Sequence, residues 1–227
     1  MSQYSWLLFD ADGTLFDYEL AESSALKNVF EHFGFPFKPE YGDAYRIFNS
    51  RVWEEFELGL IDQESLRTRR FAELFQSLNM ETDIELFSTK YLEFLSHSTQ
   101  LMDGIEDVLT ALRPTYRMAI LTNGLKDVQR SRFRESSIGS FFEAWIISEE
   151  VGFAKPDPRI FDVVFEKIGN PPFEEVLMIG DSLSSDITGG INYGIDTCWY
   201  NPTSLPAPHE MDIHYEISEI SQLLDFL

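Results

Sequence analysis

Four short polar segments hold most of the residues in this chain with the types and spacing for chemistry. The first is Asp10-Ala11-Asp12-Gly13-Thr14-Leu15, directly behind the apolar run Trp6 to Phe9. Two carboxylates at i and i+2 beyond a strand end can face the same crevice. Such a pair suits two tasks, one group attacking and the other moving a proton. Gly13 permits the tight turn that follows. Taken alone, the pattern is equally that of an ordinary turn.

The second segment is Leu121-Thr122-Asn123-Gly124. A hydroxyl and free backbone N–H groups there suit the oxygens of a phosphate, although the segment taken alone reads first as a turn or a helix cap. The third is Gly152-Phe153-Ala154-Lys155-Pro156-Asp157-Pro158. A lysine set between an apolar stretch and two prolines is restrained, and its ammonium can neutralise a phosphate and an attacking carboxylate together. The competing reading is a solvated surface lysine. The fourth is Ile179-Gly180-Asp181-Ser182-Leu183-Ser184-Ser185-Asp186. Hard carboxylate oxygens there suit magnesium. Asp181, at the strand end, is the candidate direct ligand. Asp186 is either an outer carboxylate of the metal or the cap of a helix running from Ile187 to Tyr193.

These segments need a scaffold that gathers them. Apolar runs recur at Trp6 to Phe9, Met118 to Leu121, Trp145 to Ile147, Val176 to Ile179 and Thr197 to Tyr200. Helical spacing lies between the later ones, in Ile105, Val108, Leu109, Leu112 and in Ile160, Val163, Val164, Ile168. Strands alternating with helices predict a parallel sheet covered on both faces, an α/β fold with doubly wound, Rossmann-like order. Asp157 and Pro158 mark one helix start. In such a sheet, ligands bind beyond the carboxyl ends of the strands, where all four segments fall.

The stretch from about Glu19 to Ser96 lacks strand alternation and reads as four amphipathic helices. Their apolar faces are Leu26, Val29, Phe30, Phe33; then Tyr45, Phe48, Val52, Phe56; then Leu66, Phe71, Leu74, Phe75, Leu78; then Phe87, Tyr91, Leu95. Breaks fall near Gly34-Phe35-Pro36, Gly59 and Asn79 to Thr82. We read residues 1–17 and 99–227 as an α/β catalytic core and 18–98 as an inserted helical cap. The cap, rich in aromatic rings, and the loop Leu15-Phe16-Asp17-Tyr18 are the candidates for choosing a leaving group.

Composition narrows the partners. Of 227 residues, 44% are apolar and 20 are Phe, enough for a filled core. Acidic residues number 39 against 17 basic, a net charge of −22, which opposes binding to nucleic acid polymers and anionic membranes. A small phosphorylated substrate is compatible, because a local cation and a metal outweigh the global field at contact distance. No apolar run approaches the roughly 20 residues of a membrane-spanning helix. The stretch Met1 to Trp6 lacks the basic start of a signal peptide, so a cytoplasmic location is expected. The lone Cys198 lies in an apolar run and reads as a small buried hydrophobe.

The order Asp10-x-Asp12-Gly13-Thr14, Thr122, Lys155, Gly180-Asp181 with Asp186 resembles the four motifs of the haloacid dehalogenase superfamily. The insert resembles that superfamily's four-helix cap. Ile120 to Gly124, Ile147 to Gly152 and Gly189 to Gly194 resemble its bacterial pyrimidine 5'-nucleotidases, some of which carry an acidic residue where Gly13 stands.

The resemblance implies a magnesium-dependent phosphomonoesterase. Asp10 would attack phosphorus, and Asp12 would protonate the leaving oxygen and then activate water. Thr122, Asn123 and Lys155 would hold the phosphoryl group. Asp10, the Asp12 carbonyl, Asp181 and Asp186 would serve the metal. On the same core, a sugar-phosphate or phosphoglycolate phosphatase and a phosphomutase are alternatives. A phospho-aspartate receiver is the non-enzymatic one, although its aspartate lies on a middle strand and it has no helical insert. A haloalkanoate dehalogenase needs no second aspartate, so Asp12 argues against it.

Overall fold

The structure is a computed structural model that describes residues 3–227. Met1 and Ser2, part of the N-terminal stretch weighed above as a signal sequence, lie outside the described residues. The chain divides into two compact units, Met1–Tyr18 with Thr99–Leu227, and Glu19–Ser98. Among the described residues, no helix is long and apolar enough to cross a membrane.

The second unit is helical, with α1 (Tyr18–His32), α2 (Pro39–Glu57), α3 (Gln63–Ser77) and α4 (Ile84–Ser96). The breaks follow local chemistry. Gly34 and Gly59 take positive φ beyond α1 and α2, which a Cβ disfavours. Asp62 and Asp83 cap α3 and α4 by accepting from Ser65 N at 2.8 Å and Leu86 N at 3.0 Å. Phe30, Tyr45, Phe71, Phe75, Phe87 and Tyr91 fill the interior, with Phe75 and Phe87 ring centres 4.8 Å apart. Phe33, Phe48, Phe56 and Leu78, expected to face inward, are only partly buried.

Periodicity did not announce the polar contents of this bundle. Glu22, Asn49 and Arg70 are buried in it. Asn49 Nδ2 donates to Glu22 Oε2 at 3.0 Å, and Arg70 Nη1 donates to Asn49 Oδ1 at 2.8 Å. The Arg70 guanidinium also lies over the Tyr91 ring, 5.4 Å from its centre.

The first unit carries β1 (Trp6–Phe9), β2 (Arg117–Thr122), β3 (Ala144–Ile147), β4 (Val176–Gly180), β5 (Asp196–Tyr200) and β6 (Tyr215–Ile217). They form one sheet in the order β3-β2-β1-β4-β5-β6, with every neighbour parallel. This is the doubly wound α/β order expected from the alternating pattern. The helices of this unit are α5 (Ile105–Leu112), α6 (Lys126–Glu135), α7 (Ser148–Val151), α8 (Pro158–Ile168), α9 (Thr188–Tyr193) and α10 (Leu223–Phe226).

Alternation along the strands builds two cores. Leu7, Phe9, Met118, Ile120, Leu177 and Ile179 pack with Ile105, Val108, Leu109 and Leu112 of α5. Leu8, Ala119, Leu121, Val176 and Met178 pack on the other face with Ile160, Phe161, Val164, Phe165 and Ile168 of α8. Both faces are covered, so the central strands read as continuous apolar runs. Each large side chain buried there contributes roughly 1.5–3 kcal/mol.

β1 lies between β2 and β4, where the winding of the sheet reverses. That reversal opens a crevice beyond the carboxyl ends of these strands. Asp10 continues from β1, its N–H donating to Ile179 O at 2.9 Å.

Candidate active site

Asp10, Asp181 and Asp186 come together at the carboxyl ends of β1 and β4, their ligand-capable oxygens all within 4.8 Å of one another. Asp10 and Asp186 are buried, and Asp181 is the most open of the three. Glycines make room for this crowding. A Cβ at Gly13 would overlap the Asp181 carboxylate, and one at Gly180 would overlap that of Asp186.

Lys155 is the counter-charge. Its side chain is 1% exposed, and its ammonium donates to Asp10 Oδ1 at 2.5 Å, Asp186 Oδ1 at 2.6 Å and Leu121 O at 2.6 Å. The surface-lysine reading is therefore incorrect. Apolar packing around a charge is costly unless every donor is used, and here all three are. Burial works against the charge on Lys155, but Asp10 and Asp186 outweigh it and hold its pKa above the ordinary lysine value.

The carboxylates show the opposite strain. Burial, reinforced by the charges of Asp186 and Asp181, pushes Asp10 well above the usual carboxylate range, with Lys155 pulling the other way. Burial and the Asp186 charge push Asp181 up to about 7. Three carboxylates against one ammonium leave an excess of negative charge at one point. Hard oxygen donors in that state fit a divalent cation such as magnesium.

The remaining residues take more particular places. Asp186 uses Oδ1 for Lys155 and accepts from Ser182 N on Oδ2 at 3.0 Å. It does not cap the following helix as one reading had it. It lies inside a wide π-type turn, Leu183–Ile187, whose cap is Ser182, accepting from Ser185 N at 3.2 Å. Thr122 is buried at the end of β2, and its hydroxyl accepts from Gly124 N at 3.2 Å. Asn123 is turned to Lys155: its Nδ2 donates to Lys155 O at 2.9 Å, and its Oδ1 accepts from Lys155 N at 2.7 Å. This amide-to-backbone pair fixes the segment that delivers the ammonium.

Asp12 stands apart from the three clustered carboxylates and has partners that sequence reasoning missed. Gln129 Nε2 donates to Asp12 Oδ2 at 2.6 Å, and Arg132 pairs with Asp12 Oδ1. Gln129 and Arg132 belong to the buried side of α6 with Val128 and Phe133. Their spacing of three beside two apolar residues was the available signal. Cys198 is buried and its thiol is pushed up to about 12 by that burial, in keeping with a packing role.

Known proteins resemble this chain in overall sequence and shape. The family model for haloacid dehalogenase-like hydrolases matches residues 4–194. Pyrimidine 5'-nucleotidase PynA of Streptococcus pneumoniae is 35% identical over 99% of this chain and 95% of its own length. Pyrimidine 5'-nucleotidase YjjG of Escherichia coli is 32% identical over 99% of this chain and 98% of its own. The crystal structure of HAD-hydrolase YfnB from Bacillus subtilis, described as bound to magnesium, superposes with a TM-score of 0.93 at 37% identity, covering 98% of this chain and 97% of that one. By family match and by full-length identity, the chain belongs to the haloacid dehalogenase-like hydrolases.

Proposed function

We propose that this protein is a magnesium-dependent phosphatase acting through an aspartyl-phosphate on Asp10, with pyrimidine nucleoside 5'-monophosphates as preferred substrates. The observation that carries the reading is the buried Asp10 carboxylate, held by Lys155 within a cluster of three carboxylates. The preference for pyrimidine nucleotides rests on the names and full-length similarity of PynA and YjjG. In this reading the α/β unit is the catalytic core and the helical unit the cap.

Asp10, the Asp12 carbonyl and Asp181 would hold magnesium, with Asp186 oriented behind them. When bound, the ion neutralises negative charge between nucleophile and phosphate. An Asp10 oxygen attacks phosphorus and the bond to the ester oxygen breaks. Asp12 delivers its proton to that oxygen as it leaves. The Asp12 carboxylate then takes a proton from water, whose oxygen attacks phosphorus. The bond to Asp10 breaks, releasing inorganic phosphate and restoring the carboxylate. The Lys155 donor now given to Asp10 would turn to the phosphoryl oxygens, and Thr122 would hold them beside it through both steps.

Two measurements test this. A chelator is expected to silence the wild type, and Asp181→Ala to lose activity that added magnesium restores poorly; full activity in chelator overturns the metal assignment. kcat/KM across thymidylate, uridylate, adenylate, glucose phosphates and phosphoglycolate, at one magnesium concentration, tests the substrate. Pyrimidine monophosphates are expected to lead. A non-nucleotide ahead by tenfold, ~1.4 kcal/mol of differential transition-state binding, overturns the nucleotidase reading and leaves the phosphatase one.

A further inference from the structure

We infer that Gln129 and Arg132, side by side on α6, are the positioning residues of Asp12, aiming its carboxyl for proton delivery to the leaving oxygen. The inference rests on the phosphatase reading above and adds to it the pair that would make the proton transfer directional.

An aspartate in a turn has two rotatable side-chain bonds and a half-open setting. The Asp12 side chain is 27% exposed, so nothing in its burial alone holds it still. Its two oxygens are instead taken by two different donors. Gln129 Nε2 reaches Oδ2 at 2.6 Å and Arg132 Nη1 reaches Oδ1. A carboxylate gripped at both oxygens has its plane and direction set together.

The gripping residues are themselves rigid. The Arg132 side chain is fully buried, and its guanidinium lies over the Phe16 ring, 4.3 Å from the centre. Phe16 stacks in turn on Phe133 at 5.7 Å. Gln129 is 1% exposed and packs against Gly124, where a Cβ would overlap its amide. The same Nε2 lies 3.4 Å from Thr122 Oγ1. One helix therefore braces the proposed proton carrier and adjoins the proposed phosphate hydroxyl.

Burying a guanidinium against a phenyl ring is a costly way to pack a helix. A leucine at either position would serve the apolar face of α6 alone. A group that must carry a proton to one atom gains from an orientation fixed in advance.

The chemistry supplies a test that fold damage does not imitate. A p-nitrophenolate leaving group departs without a proton, whereas the alkoxide of a nucleotide needs one. The probes are p-nitrophenyl phosphate and thymidine 5'-monophosphate. The variants are Gln129→Leu, Arg132→Met and Arg132→Lys, each checked for a cooperative melt. For Gln129→Leu and Arg132→Met, kcat/KM on thymidylate is expected to fall roughly tenfold or more, while that on p-nitrophenyl phosphate changes less than about threefold. Arg132→Lys, which keeps a cation, is expected to recover part of the thymidylate loss.

Equal losses on both esters, or none on either, overturn the positioning role. If Arg132→Met fails to fold, Gln129→Leu and Arg132→Lys decide the matter by the same comparison. A wild type that hydrolyses neither ester overturns the phosphatase reading itself, which separates the two failures.

Discussion

Asp10→Asn is expected to lower phosphatase activity by roughly 10⁴-fold or more while leaving the fold intact. The substitution keeps the shape of the side chain and an oxygen to accept from Lys155, and it removes the charge that attacks. Stability gives a second readout with a definite sign. Burial and the neighbouring carboxylates raise the Asp10 pKa in the folded protein. A carboxylate raised on folding binds more protons in the native state, so its ionisation costs stability as pH rises through the folded value. Asparagine does not ionise. In chelator near neutral pH, Asp10→Asn is therefore expected to melt at or above the wild-type temperature. Activity within about tenfold of wild type, only ~1.4 kcal/mol of barrier, defeats the nucleophile assignment. A much lower melting temperature would show that Asp10 is a structural ion-pair member instead.

Lys155→Met is expected to have the opposite profile, losing both activity and stability. The ammonium is the shared partner of Asp10 and Asp186, and Asp186 is 0% exposed. Methionine fills a similar volume but leaves a buried carboxylate without its cation. Breaking a buried pair from one side typically costs about 3–5 kcal/mol. For a chain of this size each kcal/mol lowers the melting temperature by roughly 2–4 °C, so a fall near 10 °C is expected. Adding Asp186→Asn to Lys155→Met removes the stranded charge and is expected to regain part of that loss without regaining activity. A double variant that melts below Lys155→Met would show that the cost is one of packing. Thermal denaturation in chelator reads both cases.

The sequence by itself determined the strands and the order of the polar segments. β1 to β5 were legible because strands covered on both faces must be apolar throughout, and a continuous apolar run is visible in one dimension. The four helices of the insert were legible for the complementary reason, a one-sided apolar face at helical spacing, with Gly34 and Gly59 marking two of the breaks. β6 escaped the reading. Tyr215–Ile217 is three residues long, it pairs with β5 alone at the sheet edge, and its middle residue Glu216 is exposed, so no apolar run exists to be read.

Tertiary structure decided which polar groups meet and what each one touches. Lys155 and Asp10 are 145 positions apart in the chain and 2.5 Å apart in space, because β1 pairs in parallel with β2 and β2 with β3, the strand that leads toward the Lys155 segment. Sequence left Asp186 between a metal-side carboxylate and a helix cap. Only the fold shows both its oxygens committed, to Lys155 and Ser182, and Ser182 serving as the cap. Gln129 and Arg132 were given no role from the sequence, where Arg132 is one of three alternating arginines with Arg130 and Arg134. Rotation of α6 about its axis places one of those arginines in the core against Phe16 and pairs it with Asp12. A charge reports its own presence in sequence. Whether it faces water or a partner depends on which helix face is covered, and packing of distant segments determines that.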